Sequence, residues 1–303
     1  MIKPGALKPG DCIGVISPSS PVKLELFQSG IKYLENQGFR ITIGKHSLEK
    51  SNGFLAGSEE QRLYDIHQMF RDPNINAIFC SRGGYGSLSL LDKIDYDLIR
   101  RNPKIFLGYS DITALHIAIG QNSELVTFHG PMVSDLTEKS PEYNKIMLRR
   151  TMMQSSSIDE IFHPEKETKV IYPGRTMGRL TGGNLSLICS TLGTDFEINC
   201  KNKILIIEEV GEPSYKIHRM IIQLALAGKL SDAVGFIIGE FYNCIEEEQY
   251  PLDKMLEDLF LPYKKPTIYG VKCGHGKYKA TLPLGCTATI NNDKLIIKER
   301  ALI

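Results

Sequence analysis

The 303-residue sequence contains no tryptophan, and no stretch of it approaches the ~20 consecutive apolar residues that a membrane-spanning helix needs. Its start, Met1-Ile2-Lys3-Pro4-Gly5, has neither the apolar segment nor the small-residue cleavage site of a secretory leader. Charge of one sign is also missing. The formal net charge is +1, so no global field draws the chain to nucleic acid or to anionic lipid. The seven cysteines (Cys12, Cys80, Cys189, Cys200, Cys244, Cys273 and Cys286) are odd in number, irregularly spaced and without a Cys-x-x-Cys pair. That is the wrong pattern for a disulfide framework or a zinc knuckle, and it fits a reducing compartment. No histidines stand in His-x-x-x-His or His-Glu-x-x-His, so a metal site is not expected. There is no internal repeat and no low-complexity segment. These absences leave a cytoplasmic globular chain.

Apolar residues make up 42% and charged residues 23%, ordinary values for a folded enzyme. The length exceeds what one hydrophobic core usually organises, so two domains are expected. In the first half, short apolar runs alternate with amphipathic stretches. Ile13–Ile16, Arg40–Ile43, Ala77–Cys80, Lys104–Gly108 and Leu125–Phe128 read as strands. Between them, Lys23–Gln37 reads as a helix with Leu26, Ile31 and Leu34 near one face. Ser58-Glu59-Glu60-Gln61 reads as a capping box opening a helix that runs to about Phe70. Asp111 to about Ile119 reads as another helix. Such alternation predicts an α/β fold with a mostly parallel sheet sandwiched by helices, whose ligands bind beyond the carboxyl ends of the strands.

Around residues 150–176 the composition changes to a serine cluster and a charged stretch. The expected organisation is an N-terminal domain at 1–154, a linker at 155–175 and a smaller C-terminal α/β domain at 176–303. In the latter, Ile204–Ile207 and Val234–Ile238 read as strands, and Tyr215–Ala227 and Leu252–Leu259 as helices. Asn291-Asn292-Asp293 is a turn between two strand-like pieces.

Four features could carry chemistry. Ser110 sits on a strand-to-helix junction, where a hydroxyl projects above the sheet and faces a helix N-terminus. A plain helix-cap serine would occupy the same place, and Ile112 stands where the second glycine of Gly-x-Ser-x-Gly would be. The Arg82-Gly83-Gly84-Tyr85-Gly86-Ser87 loop can present bare amides to a phosphate or an oxyanion, or it can be only a tight turn. It matches neither Gly-x-Gly-x-x-Gly nor the Walker sequence, which disfavours a nucleotide. His275, between Gly274 and Gly276, suits a loop display better than a core. Glu208 and Glu209 end the apolar run Ile204–Ile207, where a buried carboxylate needs a partner such as a histidine ring, a helix N-terminus or Arg219. Glu212 competes with them.

Together these segments resemble the L,D-carboxypeptidase family, the serine peptidases of muropeptide recycling. The resemblance rests on Gly53-Phe54-Leu55-Ala56-Gly57-Ser58, Arg82 to Gly86, and Gly108-Tyr109-Ser110-Asp111-Ile112-Thr113. It continues through Leu180-Thr181-Gly182-Gly183-Asn184-Leu185, Glu208-Glu209-Val210-Gly211-Glu212, Gly274-His275-Gly276 and Leu282-Pro283-Leu284-Gly285, and so covers nearly the whole chain. It implies Ser110 as nucleophile, Glu208 as triad acid and His275 as base. The first domain would resemble class I glutamine amidotransferases, and a homodimer is implied. Backbone amides of Asp111 and of Gly83 or Gly84 would hold the oxyanion, with Arg82 a partner for a substrate carboxylate. The implied substrate is a murein tetrapeptide that loses its terminal D-alanine, a reaction for which no metal or organic cofactor is required. The chain departs modestly from the family at Glu209, where aspartate is common, and at His218, where aspartate often precedes the arginine. A second branch hydrolyses antibiotics of the microcin C type; the lack of tryptophan leans away from it. A non-catalytic binder of an anionic ligand is the alternative outside catalysis.

Overall fold

The computed structural model describes residues 1–153, 159–161 and 168–303. The chain divides into two compact units. The first begins with β1 (Cys12–Ile16), α1 (Leu24–Asn36), β2 (Arg40–Ile43), α2 (Glu59–Arg71) and β3 (Ala77–Cys80). It continues through α3 (Tyr96–Arg101), β4 (Ile105–Gly108), α4 (Thr113–Asn122), β5 (Thr127–His129) and α5 (Glu142–Met153). β1, β3, β4 and β5 are buried along their whole lengths, as near-continuous apolar runs in a parallel sheet must be when both faces are covered. β1 pairs in parallel with both β2 and β3, and β4 with both β3 and β5. The serine-bearing junction and the glycine loop therefore leave neighbouring strands at the same end of the sheet.

The expected capping box is present: Ser58 accepts from the Gln61 amide, and the Gln61 side chain accepts from the Ser58 amide. The buried face of α1 differs from the sequence expectation. Phe27, Gly30, Tyr33 and Leu34 are buried, whereas Leu26 is 42% exposed. Gly30 sets this rotation, because a Cβ there would lie 2.1 Å from the Val133 carbonyl oxygen. Close backbone approach outweighs the leucine in choosing the face.

The second unit holds β6 (Asp159–Glu160), β7 (Lys169–Tyr172), β8 (Arg175–Asn184), α6 (Leu185–Ser190) and β9 (Lys203–Val210). They are followed by α7 (Ser214–Leu226), α8 (Lys229–Asp232), β10 (Gly235–Tyr242), α9 (Leu252–Phe260) and β11 (Thr267–Tyr269). β8, β9, β10 and β11 run parallel at the centre of an eight-stranded mixed sheet. The expected linker lies partly outside the described residues. Its described part is more than a connector, since β7 pairs antiparallel with β11. Nor does the C-terminal stretch stay with the second unit. β12 (Leu282–Leu284) pairs antiparallel with β5 as an edge of the first sheet, and Ala301–Ile303 also belong to the first unit. Between these excursions, β13 (Thr287–Asn291) and β14 (Lys294–Ile297) form the hairpin expected around Asn291-Asn292-Asp293. Among the described residues, no helix is long and apolar enough to cross a membrane.

Candidate active site

Ser110 leaves the carboxyl end of β4 through Gly108 and the extended Tyr109 (φ −155°, ψ −172°). Its own φ is +65°, in the left-handed region that a residue with a Cβ enters only at a cost of about 1–3 kcal/mol. A helix-cap serine adopts extended geometry and accepts an amide hydrogen bond. Ser110 does neither: it opens a short 3-10 turn before α4, and neither helix start has a side-chain cap. The cap reading therefore fails, and what remains is a strained strand-to-helix elbow that lifts a hydroxyl above the sheet. Beneath it, His116 is fully buried, and its Nε2–H donates to the Gly108 carbonyl at 2.8 Å. The Gly130 amide donates to the same oxygen at 3.0 Å. Burial pushes the His116 pKa down to about 3, so the ring is neutral in ordinary buffers.

The glycine loop after β3 packs directly on the elbow. A Cβ on Gly83 would lie 2.9 Å from Ser110 Cβ and 3.1 Å from its Oγ. Only glycine allows this approach. Gly84 has φ +111°, and a Cβ there would lie 2.4 Å from Ser20 Oγ. Among the described residues, the Gly83 and Gly84 amides donate to no protein acceptor. Asp111 is buried, and its carboxylate accepts from Ser19 Oγ at 2.5 Å and from the Ser87 amide at 2.8 Å. The expected contribution of Asp111 was its backbone amide; its side chain additionally buckles the elbow to two other loops. Arg82 is exposed, and its Nη1 donates to the Pro21 carbonyl at 3.0 Å.

In the second unit, β9 is buried from Ile204 to Glu209, and its alternation sends Glu208 and Glu209 to opposite faces of the sheet. On one face Glu208, with no exposed surface, accepts from His275 Nδ1 at 2.8 Å. On the other, Glu209 accepts from Asn184 Nδ2, the Ser186 amide and hydroxyl, and the Val210 amide. Burial raises the Glu209 pKa, and those donors partly offset it. Glu212 pairs with Lys216 at 3.1 Å. Of the three competing carboxylates, Glu208 alone holds the histidine.

Glycines make that contact possible. A Cβ on Gly274 would lie 2.8 Å from Glu208 Oε2, and one on Gly276 would lie 2.3 Å from Glu240 Oε2. β10 shifts register between Ile238 and Phe241 opposite this point, a bulge that includes Gly239 and Glu240. Glu240 in turn pairs with Lys272 at 3.3 Å. Neither Glu240 nor the bulge had any signal in the sequence. A glycine-flanked histidine is legible as a loop, but which strands that loop packs against is not. Among the described residues, no cluster of three or more His, Cys, Asp or Glu side chains could hold a metal ion.

Comparison with known proteins gives this chemistry a context. Residues 13–130 match the model of the LD-carboxypeptidase N-terminal domain, and residues 177–290 match that of the LD-carboxypeptidase C-terminal domain. A probable murein peptide carboxypeptidase of Bacillus subtilis is 41% identical, over 95% of this chain and 91% of its own. The chain belongs to the LD-carboxypeptidase family. It is a carboxypeptidase with a two-domain α/β fold, as its similarity to solved structures also shows. A muramoyltetrapeptide carboxypeptidase from Oxalobacter formigenes superposes with a TM-score of 0.84 at 26% identity, covering 95% of this chain and 99% of that one. The self-immunity protein MccF of Escherichia coli is 29% identical over 94% of this chain and 91% of its own. A structure of MccF with glutamyl sulfamoyl guanosine superposes with a TM-score of 0.93 at 25% identity, covering 100% of both chains.

Proposed function

We propose that this carboxypeptidase is a serine enzyme that releases the terminal D-alanine of murein tetrapeptides, with Ser110, Glu208 and His275 as its triad. Ser110 attacks the peptide carbonyl, and His275 Nε2 takes its proton and later gives it to the leaving amine. Glu208 holds Nδ1–H and balances the charge of the imidazolium. The amides of Asp111 and of Gly83 or Gly84 receive the oxyanion, and Arg82 is the candidate partner for a substrate carboxylate. The observation that carries the reading is the buried Glu208–His275 contact of 2.8 Å, because a fully buried carboxylate aimed at one imidazole nitrogen is the arrangement a general base requires.

The likeness to MccF keeps a second substrate class in view: an aminoacyl sulfamoyl nucleoside in place of the peptide. The same acyl-transfer machinery would serve both. We place the enzyme in the cytoplasm on the strength of its seven free cysteines, and infer a homodimer from the family resemblance. The deciding experiment incubates purified protein with a murein tetrapeptide and with an aminoacyl sulfamoyl adenosine, and follows D-alanine and free amino acid. Release of D-alanine that disappears in Ser110→Ala supports the proposal. Turnover of the sulfamoyl nucleoside alone would overturn the substrate, and turnover by Ser110→Ala would overturn the mechanism.

A further inference from the structure

Three loops meet at the carboxyl ends of β1, β3 and β4, and one buried cation from α2 ties two of them together. Arg62 is only 2% exposed. Its Nη1 donates to the carbonyls of Pro18 and Gly86, each at 2.7 Å, and its Nη2 to Ser89 Oγ at 3.3 Å. Ser89 Oγ in turn donates to the Gly86 carbonyl at 3.1 Å. Among the described residues, no carboxylate makes an ion pair with this guanidinium. A buried cation held by neutral oxygens is a costly way to anchor a helix, and an apolar side chain would do that more cheaply. What the guanidinium adds is direction: one nitrogen fixes two carbonyls from different loops at once.

Those two carbonyls bracket the candidate site. Pro18 precedes Ser19, whose hydroxyl binds the Asp111 carboxylate beside Ser110, and Ser20, whose amide donates to the Gly83 carbonyl and whose hydroxyl accepts from the Tyr85 amide. Gly86 closes the glycine loop; its φ is +129°, and a Cβ there would lie 2.8 Å from Arg62 Nη1. The cation therefore sits against a position where only glycine leaves it room. We infer that Arg62 is a positioning residue that holds the Gly83 and Gly84 amides at the height the Ser110 oxyanion requires. It touches no substrate and acts through the loop. The inference rests on the serine-hydrolase reading and adds a residue to it.

The test uses the full chain with Arg62→Lys and Arg62→Ala, assayed for tetrapeptide hydrolysis and for the rate of Ser110 labelling by a small fluorophosphonate. A lysine ammonium keeps the charge but lacks the planar fork. Misaimed oxyanion donors lower kcat by ~10²-fold, and the labelling rate with it, at little change in KM. Guanidinium ion at low millimolar concentration restores part of kcat in Arg62→Ala and leaves the wild type unchanged. A merely structural arginine would lower the melting temperature without that kcat-specific loss or its rescue. Folded Arg62→Lys with kcat and labelling rate within about two-fold of wild type overturns the inference. So does failure of both variants to fold, which would make Arg62 a stabilising group only. Ser110→Ala run in parallel separates the two readings. If Ser110→Ala is inert and Arg62→Lys is normal, only the Arg62 inference falls; if Ser110→Ala still turns over, the serine reading falls first.

Discussion

Replacing Glu208 by glutamine removes one charge from the described geometry and little else. The carboxylate has no exposed surface and lies 2.8 Å from His275 Nδ1. In the proposed mechanism the imidazole is cationic in the transition state, and the charge centres of such a pair are about 4 Å apart, worth about 4 kcal/mol at an effective dielectric near 20. At ~1.4 kcal/mol per tenfold, that is a loss of roughly a thousand-fold. Glutamine can also offer its amide N–H to Nδ1, which selects the wrong tautomer and adds about another factor of ten. The expected kcat is therefore roughly 10³–10⁴-fold below wild type, with the protein still folded and unfolding cooperatively. The assay couples D-alanine release to an amino-acid oxidase, with thermal unfolding measured on the same preparations. Glu209→Gln is the control: its carboxylate caps α6 on the opposite face, so stability should fall and kcat should stay within about three-fold. A Glu208→Gln enzyme retaining more than about a tenth of wild-type kcat would refute the reasoning, as would Glu209→Gln proving the more damaged in kcat.

Gly83→Ala places a methyl group 2.9 Å from Ser110 Cβ, so kcat should fall ~10²-fold or more while the protein still unfolds cooperatively; a fully active Gly83→Ala enzyme would count against Ser110 as the proposed nucleophile. For His116 the folded pKa of about 3 lies below the ordinary 6.5, so the unfolded chain binds the extra proton between those values and stability falls with acidification across that window. From pH 6.5 to pH 5 urea denaturation should show wild type losing about 1.6 kcal/mol more than His116→Gln, and parallel curves would contradict a buried neutral ring. Dialysis against EDTA or a reducing agent should leave turnover unchanged; loss with EDTA that zinc restores would contradict the serine mechanism.

Much of this protein was already written in local sequence. Continuous apolar runs such as Ile13–Ile16 and Ala77–Cys80, bounded by turn residues, read as strands buried on both faces, and Ser58 with Gln61 announces the start of α2, because such signals depend on neighbours a few residues away. The candidate residues were legible for a similar reason: multi-residue motifs around Ser110, Glu208 and His275 carry the family resemblance. Choices that depend on contact across the fold were not legible. Whether Ser110 caps a helix or stands on a strained elbow is decided by its φ of +65°, which packing imposes. Which of Glu208, Glu209 and Glu212 meets His275 is decided by the opposite faces that Glu208 and Glu209 take on β9, by the place of Glu212 beyond its end, and by Gly274, which lets the loop close on that strand. The return of Leu282–Leu284 to the first sheet, the rotation of α1 around Gly30 and the burial of Arg62 belong to the same class. A single sequence records propensity and periodicity, both short-ranged. Close backbone approach and the pairing of buried charges are long-ranged, and only the tertiary structure can decide them.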